Sequence, residues 1–471
     1  MDAPSTLAPP ALSAPAPFWK SVRDAIAGTH QDYTEGKLNR AIFLLAIPMI
    51  LEMVMESLFG IVNVFWVSRL GSEAITVVGL TESMFTLVFA VAIGLSIATT
   101  ATVARRIGEK NPTGAAVAAV QSIFVGIVVS AAVGLIGMTN APRLLTLMGA
   151  SADAVRDGQT YTAILLGGSA GVFLLFLNNA ILRGAGDASL AMRALWIGNA
   201  VNMVLDPALI FGAGMGITGA AVATTIGRTV GVAYTIYALT SGRARVVITM
   251  QQIRVDLEVM RRLLRMALKG MFQYAIATAS WLALVRLTAT FGDTAVAGYT
   301  IAIRIIIFAI LPSWGLSNAA ATLVGQNLGA KKPDRAENAV WRTGLYNMAF
   351  LGSVSIVFIT FAPWIISLFT RDAGVAAIGI ECLRDVSYGY VAYAWGMVLV
   401  QAFNGAGDTL TPTLINLLCY WCWQIPLAYG MSTYLGLGPR GVFLAIAISE
   451  ATLAVIGVLA FRRGRWKMQK I

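Results

Sequence analysis

Three side chains of the apolar stretch 41–68 could handle a cation. Glu52, Glu56 and Asn63 fall within about 40° of one another on a helix turning about 100° per residue, so they form one polar stripe on an otherwise apolar rod. Further on, Asn202 and Asp206 stand four residues apart on one helical face, and Pro207 follows directly. Proline has no N–H, so the carbonyl of Met203 loses its helix partner and adds an oxygen beside the Asp206 carboxylate. Thr224 contributes a hydroxyl early in the next apolar run. An ionisable group inside hydrocarbon costs roughly 2.5–3.5 kcal/mol at a helix centre and persists where it faces a cavity or a partner. Carboxylate, amide and hydroxyl oxygens so placed suit a proton or Na⁺, with Asp206, Asn202 and Thr224 able to cage the latter. The competing reading pairs Glu56 or Asp206 with a helix-borne Arg193 or Arg228, which would only tie helices together.

The elements that must position these groups are membrane helices. The 471 residues are 57% hydrophobic and only 12% charged, with a mean hydropathy of +0.74, far from a soluble domain. Apolar runs predict spans near 41–68, 74–104, 114–138, 158–182, 188–212 and 217–240, then 264–290, 295–325, 337–362, 378–403, 409–432 and 441–461. The two sets of six are copies. Leu182-Arg183-Gly184-Ala185-Gly186-Asp187 returns as Phe403-Asn404-Gly405-Ala406-Gly407-Asp408, and 405 − 184 = 221. The same offset pairs Gly71 with Gly292, Gly94 with Gly315, Gly108 with Gly329 and Pro112 with Pro333. An even number of spans per copy makes the repeats parallel, an architecture that suits alternating access around a central site.

The duplication also acts as an internal control. At offset 221, Glu52 becomes Gln273, Glu56 becomes Ala277, Asn63 becomes Leu284 and Asn202 becomes Trp423. Asp206 becomes Leu427, or Ile425 if the following prolines are aligned. Packing residues should survive in both copies, so a cluster of acids kept in one copy points to a specialised ion site.

Basic residues cluster before the first span, around 105–110, through 243–265, around 331–335 and after 462, which places both termini in the cytoplasm. The expected organisation is a disordered or amphipathic tail (1–36), a first lobe (37–240), a basic linker (241–263), a second lobe (264–462) and a basic tail (463–471). The Pro/Ala/Ser-rich start has no apolar signal core, and an amphipathic piece around Phe18, Trp19, Val22 and Ile26 could rest on the inner leaflet. The formal +11 charge reads as topology, not as a nucleic-acid stripe. Cys382, Cys419, Cys422 and the lone His30 have no metal-ligand spacing, and no nucleophile with a base appears. No cofactor, no metal centre and no enzymatic activity are expected.

Ile181 to Asp187, Asn202-Met203-Val204-Leu205-Asp206-Pro207, Gly325-Gln326-Asn327-Leu328-Gly329-Ala330, and Pro48 followed by Phe65 to Gly71 resemble the MATE family of multidrug and toxic compound extrusion antiporters. The resemblance covers about residues 37–465. It implies an all-α membrane protein of two six-helix lobes in a V around a central cleft, exporting cationic amphiphiles in exchange for inward H⁺ or Na⁺. H⁺ is the preferred ion and a monomer is expected, and the compact loops point to a bacterial inner membrane. It also implies a cation site at Asp206, Asn202 and Thr224 with Glu56 and Asn63 from the first helix. One branch of the family usually has Asp where this chain has Asn63, and commonly Gln where it has Glu56, as though the acid had moved two turns. On that reading Glu56 and Asp206 share the coupling role, Glu56→Gln abolishes coupled export, and Asn63→Asp is tolerated or alters ion preference. Pro48 and Pro207 are the expected helix hinges.

Weaker candidates are Glu82, either a second proton site or a partner of Arg304, and Asp385, which with Tyr388 could serve as a second-lobe coupling acid or could belong to a solvated helix start. Arg183 and Asp187 are expected to organise one loop, Asn404 and Asp408 its counterpart. Met49, Met53 and Met55 could offer adaptable apolar contact or be ordinary packing. The alternative function is flipping of lipid-linked oligosaccharide or lipid, which would call for a strongly cationic cavity.

Overall fold

The structure is a computed structural model that describes residues 18–28 and 31–469. After helix α1 (Phe18–Ala27), the first half forms α2 (Leu38–Ser68), α3 (Ser72–Gly108), α4 (Pro112–Leu147), a broken rod α5/α6 (Ala152–Gly167, Ser169–Ala185), α7 (Ala188–Pro207) and α8 (Ile217–Thr240). The second half repeats this as α9 (Leu257–Ala289), α10 (Asp293–Gly329), α11 (Pro333–Ser367), α12/α13 (Ala373–Ser387, Tyr390–Ala406), a rod broken into α14 (Leu410–Asn416) and α15 (Ile425–Tyr429), and α16 (Pro439–Arg462). No strand occurs among the described residues, and eight helical runs there are long and apolar enough to cross a membrane by length and composition. The disorder expected over the first residues, and His30, lie outside the described residues. The piece around Trp19 and Ile26 is helix α1, docked through buried Ala25 and through Arg193, which donates to the carbonyls of Ile26 and Ala27 at 2.9 and 2.7 Å.

The halves meet backbone on backbone. A Cβ on Gly108 would lie 1.9 Å from the Gln326 carbonyl oxygen, and one on Gly329 would lie 2.2 Å from that of Arg105. Since 105 + 221 = 326 and 108 + 221 = 329, these are one contact seen from both sides of a pseudo-two-fold axis. The same exchange relates Gly94, which packs on Ala267 and Met271 of α9, to Gly315, which packs on Met49 and Ile50 of α2. The first helix of each half therefore leans on the second helix of the other, and only glycine allows the approach.

Breaks are duplicated as well. Gly168 separates α5 from α6, and Gly389 (168 + 221) separates α12 from α13. Past the middle of the fifth rod the offset becomes 222. The π-turns Ala208–Gly212 and Gly430–Tyr434 correspond, and Gly216 (φ 55°, ψ −140°) matches Gly438 (φ 57°, ψ −141°). The extra residue is taken up where the second half has a π-helical stretch, Leu417–Gln424, and the first half runs as regular helix; a π-bulge is how a helix absorbs an insertion without breaking. The partner of Asp206 is accordingly Ala428, not Leu427 or Ile425, and that of Asn202 is Gln424, not Trp423.

One end of the bundle is closed by side chains reaching for carbonyls. Arg335 donates to Tyr33, Glu35 and Gly36, Lys332 to Thr34 at 3.0 Å, and Arg245 to Gln31. Arg105 holds the Gln469 carbonyl at 2.7 Å, and Lys467 pairs with Glu337 at 2.6 Å. Tyr33 donates to the Gly186 carbonyl at 3.2 Å, and burial pushes its phenol up to about 12, so it stays a donor at neutral pH. Asp187 accepts from the Arg245 backbone N–H at 2.6 Å, pinning the stretch between the halves. Gln121 bonds both the Arg254 carbonyl and the Asp256 N–H, and Asp256 caps α9, which starts at Leu257.

Gly108→Ala is expected to destabilise the protein by roughly 1–3 kcal/mol through forced overpacking. Gly60→Ala, whose Cβ meets nothing within 4 Å, should melt at or above the wild-type temperature in detergent. Equal melting temperatures for the two variants would contradict a close α3–α10 crossing.

Candidate functional site

Two polar sites emerge, one inside the first half and one between the halves. The first is built by a helix crossing. A Cβ on Gly198 of α7 would stand 2.7 Å from the Gly227 carbonyl oxygen of α8, and one on Gly227 would stand 2.6 Å from that of Gly198 and 2.9 Å from the Asn202 Cβ. This approach puts Thr224 against Asn202. The Asn202 amide, oriented as its neighbours require, donates to both Asp206 oxygens at 2.9 and 3.2 Å, while its carbonyl accepts from the Thr224 hydroxyl at 3.0 Å and backbone N–H at 3.1 Å. Asp206 is fully buried and has no arginine or lysine within ion-pair distance among the described residues. The fold thus brings Asp206, Asn202 and Thr224 into one hydrogen-bonded cluster.

The first-helix stripe divides instead among different neighbours. Glu52, 2% exposed, accepts from Arg183 at 2.7 Å and Asn179 at 3.1 Å, both on α6, and its second oxygen is buried without a partner among the described residues. Arg183, expected to organise a loop, thus reaches into the bundle. Glu56 accepts from both terminal nitrogens of Arg228, at 2.7 and 3.4 Å, and from Asn199 at 3.0 Å. Phe59 lies with its ring 5.2 Å from the Arg228 guanidinium carbon, backing the pair. No hydrogen bond links Glu56 to Asp206, and half-buried Asn63 makes no side-chain hydrogen bond among the described residues. Of the two arginines considered as partners, Arg228 is engaged and Arg193 is held by α1.

The second site is a cavity of about 490 Å³ between the halves. Its charged lining is Glu52, Glu56 and Arg183 from the first half and Glu450 from the second, set in walls that carry Phe89, Phe176, Tyr274, Trp314, Tyr393 and Tyr420. Asp206, Asn202, Thr224 and Asn63 do not line it. Met53 does, whereas Met49 and Met55 are buried as packing. Glu450 was missed from the sequence, although an acid in the middle of the apolar run 441–461 carries the same cost argument as Glu52. Its Oε1 accepts from the Tyr420 hydroxyl at 3.1 Å.

Of the remaining candidates, Asn404 lines the cavity and Pro207 follows Asp206 directly, while Glu82, Asp385, Asp408 and Pro48 lie outside both sites. Glu82 lies exposed on α3, without an ion pair to Arg304. Asp385, 2% exposed, is paired with Arg440 at 3.0 Å across α12 and α16. Asp408 holds the Thr411 hydroxyl at 2.6 Å and backbone N–H at 3.3 Å, and Asn404 donates to Gln401 at 3.1 Å. Pro48 sits inside a continuous α2, and Pro207 ends α7 at its π-turn. No group of three or more His, Cys, Asp or Glu that could hold a metal is present among the described residues.

Paired, sequence-related halves of membrane-length helices around a charged cavity define an integral membrane transporter. The MatE family signature matches residues 48–208 and again 270–430. The chain belongs to that family. It is 25% identical over 439 residues to the probable multidrug resistance protein NorM of Thermotoga maritima, covering 92% of this chain and 94% of that one. It is 21% identical over 424 residues to the multidrug export protein MepA of Staphylococcus aureus, covering 89% and 92%. The fold superposes on a MOP superfamily transporter from Pyrococcus furiosus Vc1 with a TM-score of 0.87 at 29% identity, covering 96% of this chain and 99% of that one.

Glu56→Gln leaves the Arg228 guanidinium, 7% exposed, without its carboxylate, so a loss of roughly 3–5 kcal/mol is the upper expectation for breaking such a pair. Adding Arg228→Gln should recover part of it. Thermal unfolding of the single and double variants checks this, and strictly additive losses would deny the coupling.

Proposed function

We propose that this protein is a multidrug efflux antiporter that exports organic cations in exchange for inward H⁺ or Na⁺. The relatives named for multidrug resistance and export support the substrate class. The observation that carries the coupling part is Asp206: a fully buried carboxylate answered, among the described residues, by an amide and, through it, a hydroxyl, with no Arg or Lys beside it there. Such a group favours an incoming proton or Na⁺ in a way that Glu52 and Glu56, already bound to arginines, do not. Asn202 and Thr224 hold its geometry, and their oxygens with the Asp206 carboxylate would make up the ligands of a Na⁺. Asn63 lies on the same first helix as the arginine-bound acids and completes the set proposed for coupling.

Ion binding at Asp206 then changes the packing of α7 on α8, next to the Glu56–Arg228 and Glu52–Arg183 pairs that fasten α2 to this half. Pro48 in α2, whose missing N–H weakens the helix there, and Pro207 are the proposed hinges. Each state of the alternating cycle is favoured by its own ligand, ion on one side and compound on the other. The arginine-bound end of the bundle is read as cytoplasmic by the positive-inside rule, and the protein as a monomer of a bacterial inner membrane. A lipid-linked pyrophosphate would need a cationic cavity, whereas the lining charges here, with Arg228 counted behind Glu56, sum to one net negative charge.

In proteoliposomes, efflux of a fluorescent organic cation should follow an imposed pH or Na⁺ gradient. Asp206→Asn should reduce gradient-driven efflux at least about tenfold while the protein remains folded. Efflux at the wild-type rate in that variant would refute Asp206 as the coupling acid, and absence of efflux under either gradient in folded wild-type protein would redirect attention to a lipid substrate.

A further inference from the structure

The two halves place a carboxylate at the same pseudo-symmetric spot by different means. In the first half, α2 supplies Glu56, α7 supplies the donor Asn199, and α8 supplies the counter-charge Arg228. The corresponding positions in the second half are Ala277 (56 + 221), Tyr420 (199 + 221) and Glu450 (228 + 222), the change of offset being the inserted residue of the π-stretch. The match along the last helix is fixed independently. A Cβ on Gly219 would meet the backbone of Leu209 and Ile210, and one on Gly441 (219 + 222) would meet that of Met431 and Ser432. The donor is retained, since Tyr420 bonds Glu450 at 3.1 Å as Asn199 bonds Glu56 at 3.0 Å. The acid has crossed to the opposite helix, and the arginine is gone.

Among the residues lining the central cavity, Glu52 and Glu56 are each bound by an arginine, while Glu450 has no Arg or Lys within ion-pair distance among the described residues. Ala277, in place of the acid, leaves room beside it and also lines the cavity, as do Tyr274, Tyr393 and Tyr420. A carboxylate with an empty counter-charge position, in an aromatic wall open to a cavity of about 490 Å³, has the chemistry of an organic-cation receptor.

We infer that Glu450, set by Tyr420 and walled by Tyr274 and Tyr393, binds the cationic group of the transported compound, which supplies the charge that Arg228 supplies in the other half. The inference rests on the transport reading above and adds where the compound's charge sits: in the second half, apart from the coupling acid Asp206, so that ion and compound act on different lobes.

The test is equilibrium binding to the full-length protein in nanodiscs, using tetraphenylphosphonium as the cation and Nile red as a neutral amphiphile. Glu450→Gln keeps the acceptor for Tyr420 and removes the charge. It should weaken tetraphenylphosphonium binding at least about tenfold and leave Nile red binding unchanged. The double variant Ala277→Glu with Glu450→Arg rebuilds the first-half pair and should fold while showing the same selective loss. Unchanged cation affinity in Glu450→Gln, equal loss for both probes, or wild-type protein that binds Nile red and not the cation would each overturn the assignment. Cation efflux from wild-type proteoliposomes is measured alongside: efflux present with cation affinity unchanged in Glu450→Gln overturns this inference alone, whereas absent efflux overturns the transport reading.

Discussion

A charge inside a helical bundle meant for hydrocarbon has to be answered, and the ways this chain answers its acids organise everything else. Glu52 is answered by Arg183 and Glu56 by Arg228, and each pair fastens α2 to a different helix, α6 or α8. Asp385 and Arg440 do the same for α12 and α16. Asp206 is answered by neutral dipoles, which satisfy hydrogen bonds without cancelling charge, and Glu450 by a single phenol. The acids closed by arginines are parts of the scaffold. Asp206 and Glu450, buried without an arginine among the described residues, are the ones placed to respond to something arriving.

Much of this was legible in the residues. The offset of 221 reported the duplication because glycine is demanded wherever one backbone crosses another, and Gly94, Gly108 and their copies sit at such crossings. The trio at Asp206 was legible because residues four apart on α7 share a face, and a face so polar needs partners. What escaped depended on long-range geometry or on register. Nothing local distinguishes Arg228 from Arg193 as the partner of Glu56; the choice follows from how α8 and α1 dock. Glu450 escaped because strict offset sets it against Thr229, so its relation to Arg228 appears only after the π-stretch Leu417–Gln424 has been counted as one residue longer.

That inserted residue also separates roles that a perfect repeat would merge. Both halves kept the broken fourth rod, the π-turn after the fifth and the glycine that starts the sixth, so the frame is common. Onto it the first half carries two arginine-bound acids and the Asp206–Asn202–Thr224 cluster, and the second has Glu450 facing the cavity. Two sites in two lobes are linked through the contacts between lobes, chief among them α2 on α10, α9 on α3, and α3 on α10.

The last of these contacts sits at the very end of both rods. Gly108 and Gly329 are the final residues of α3 and α10, each 37 residues long, or roughly 55 Å at about 1.5 Å per residue. If the halves pivot where these backbones touch, the whole helix is the lever arm. A rotation of about 10° at the crossing carries the opposite ends by about 10 Å, on the scale of a drug-sized molecule, while the atoms at the pivot hardly slide. In such a motion the smallest residue in the chain would give its longest helices their mechanical advantage.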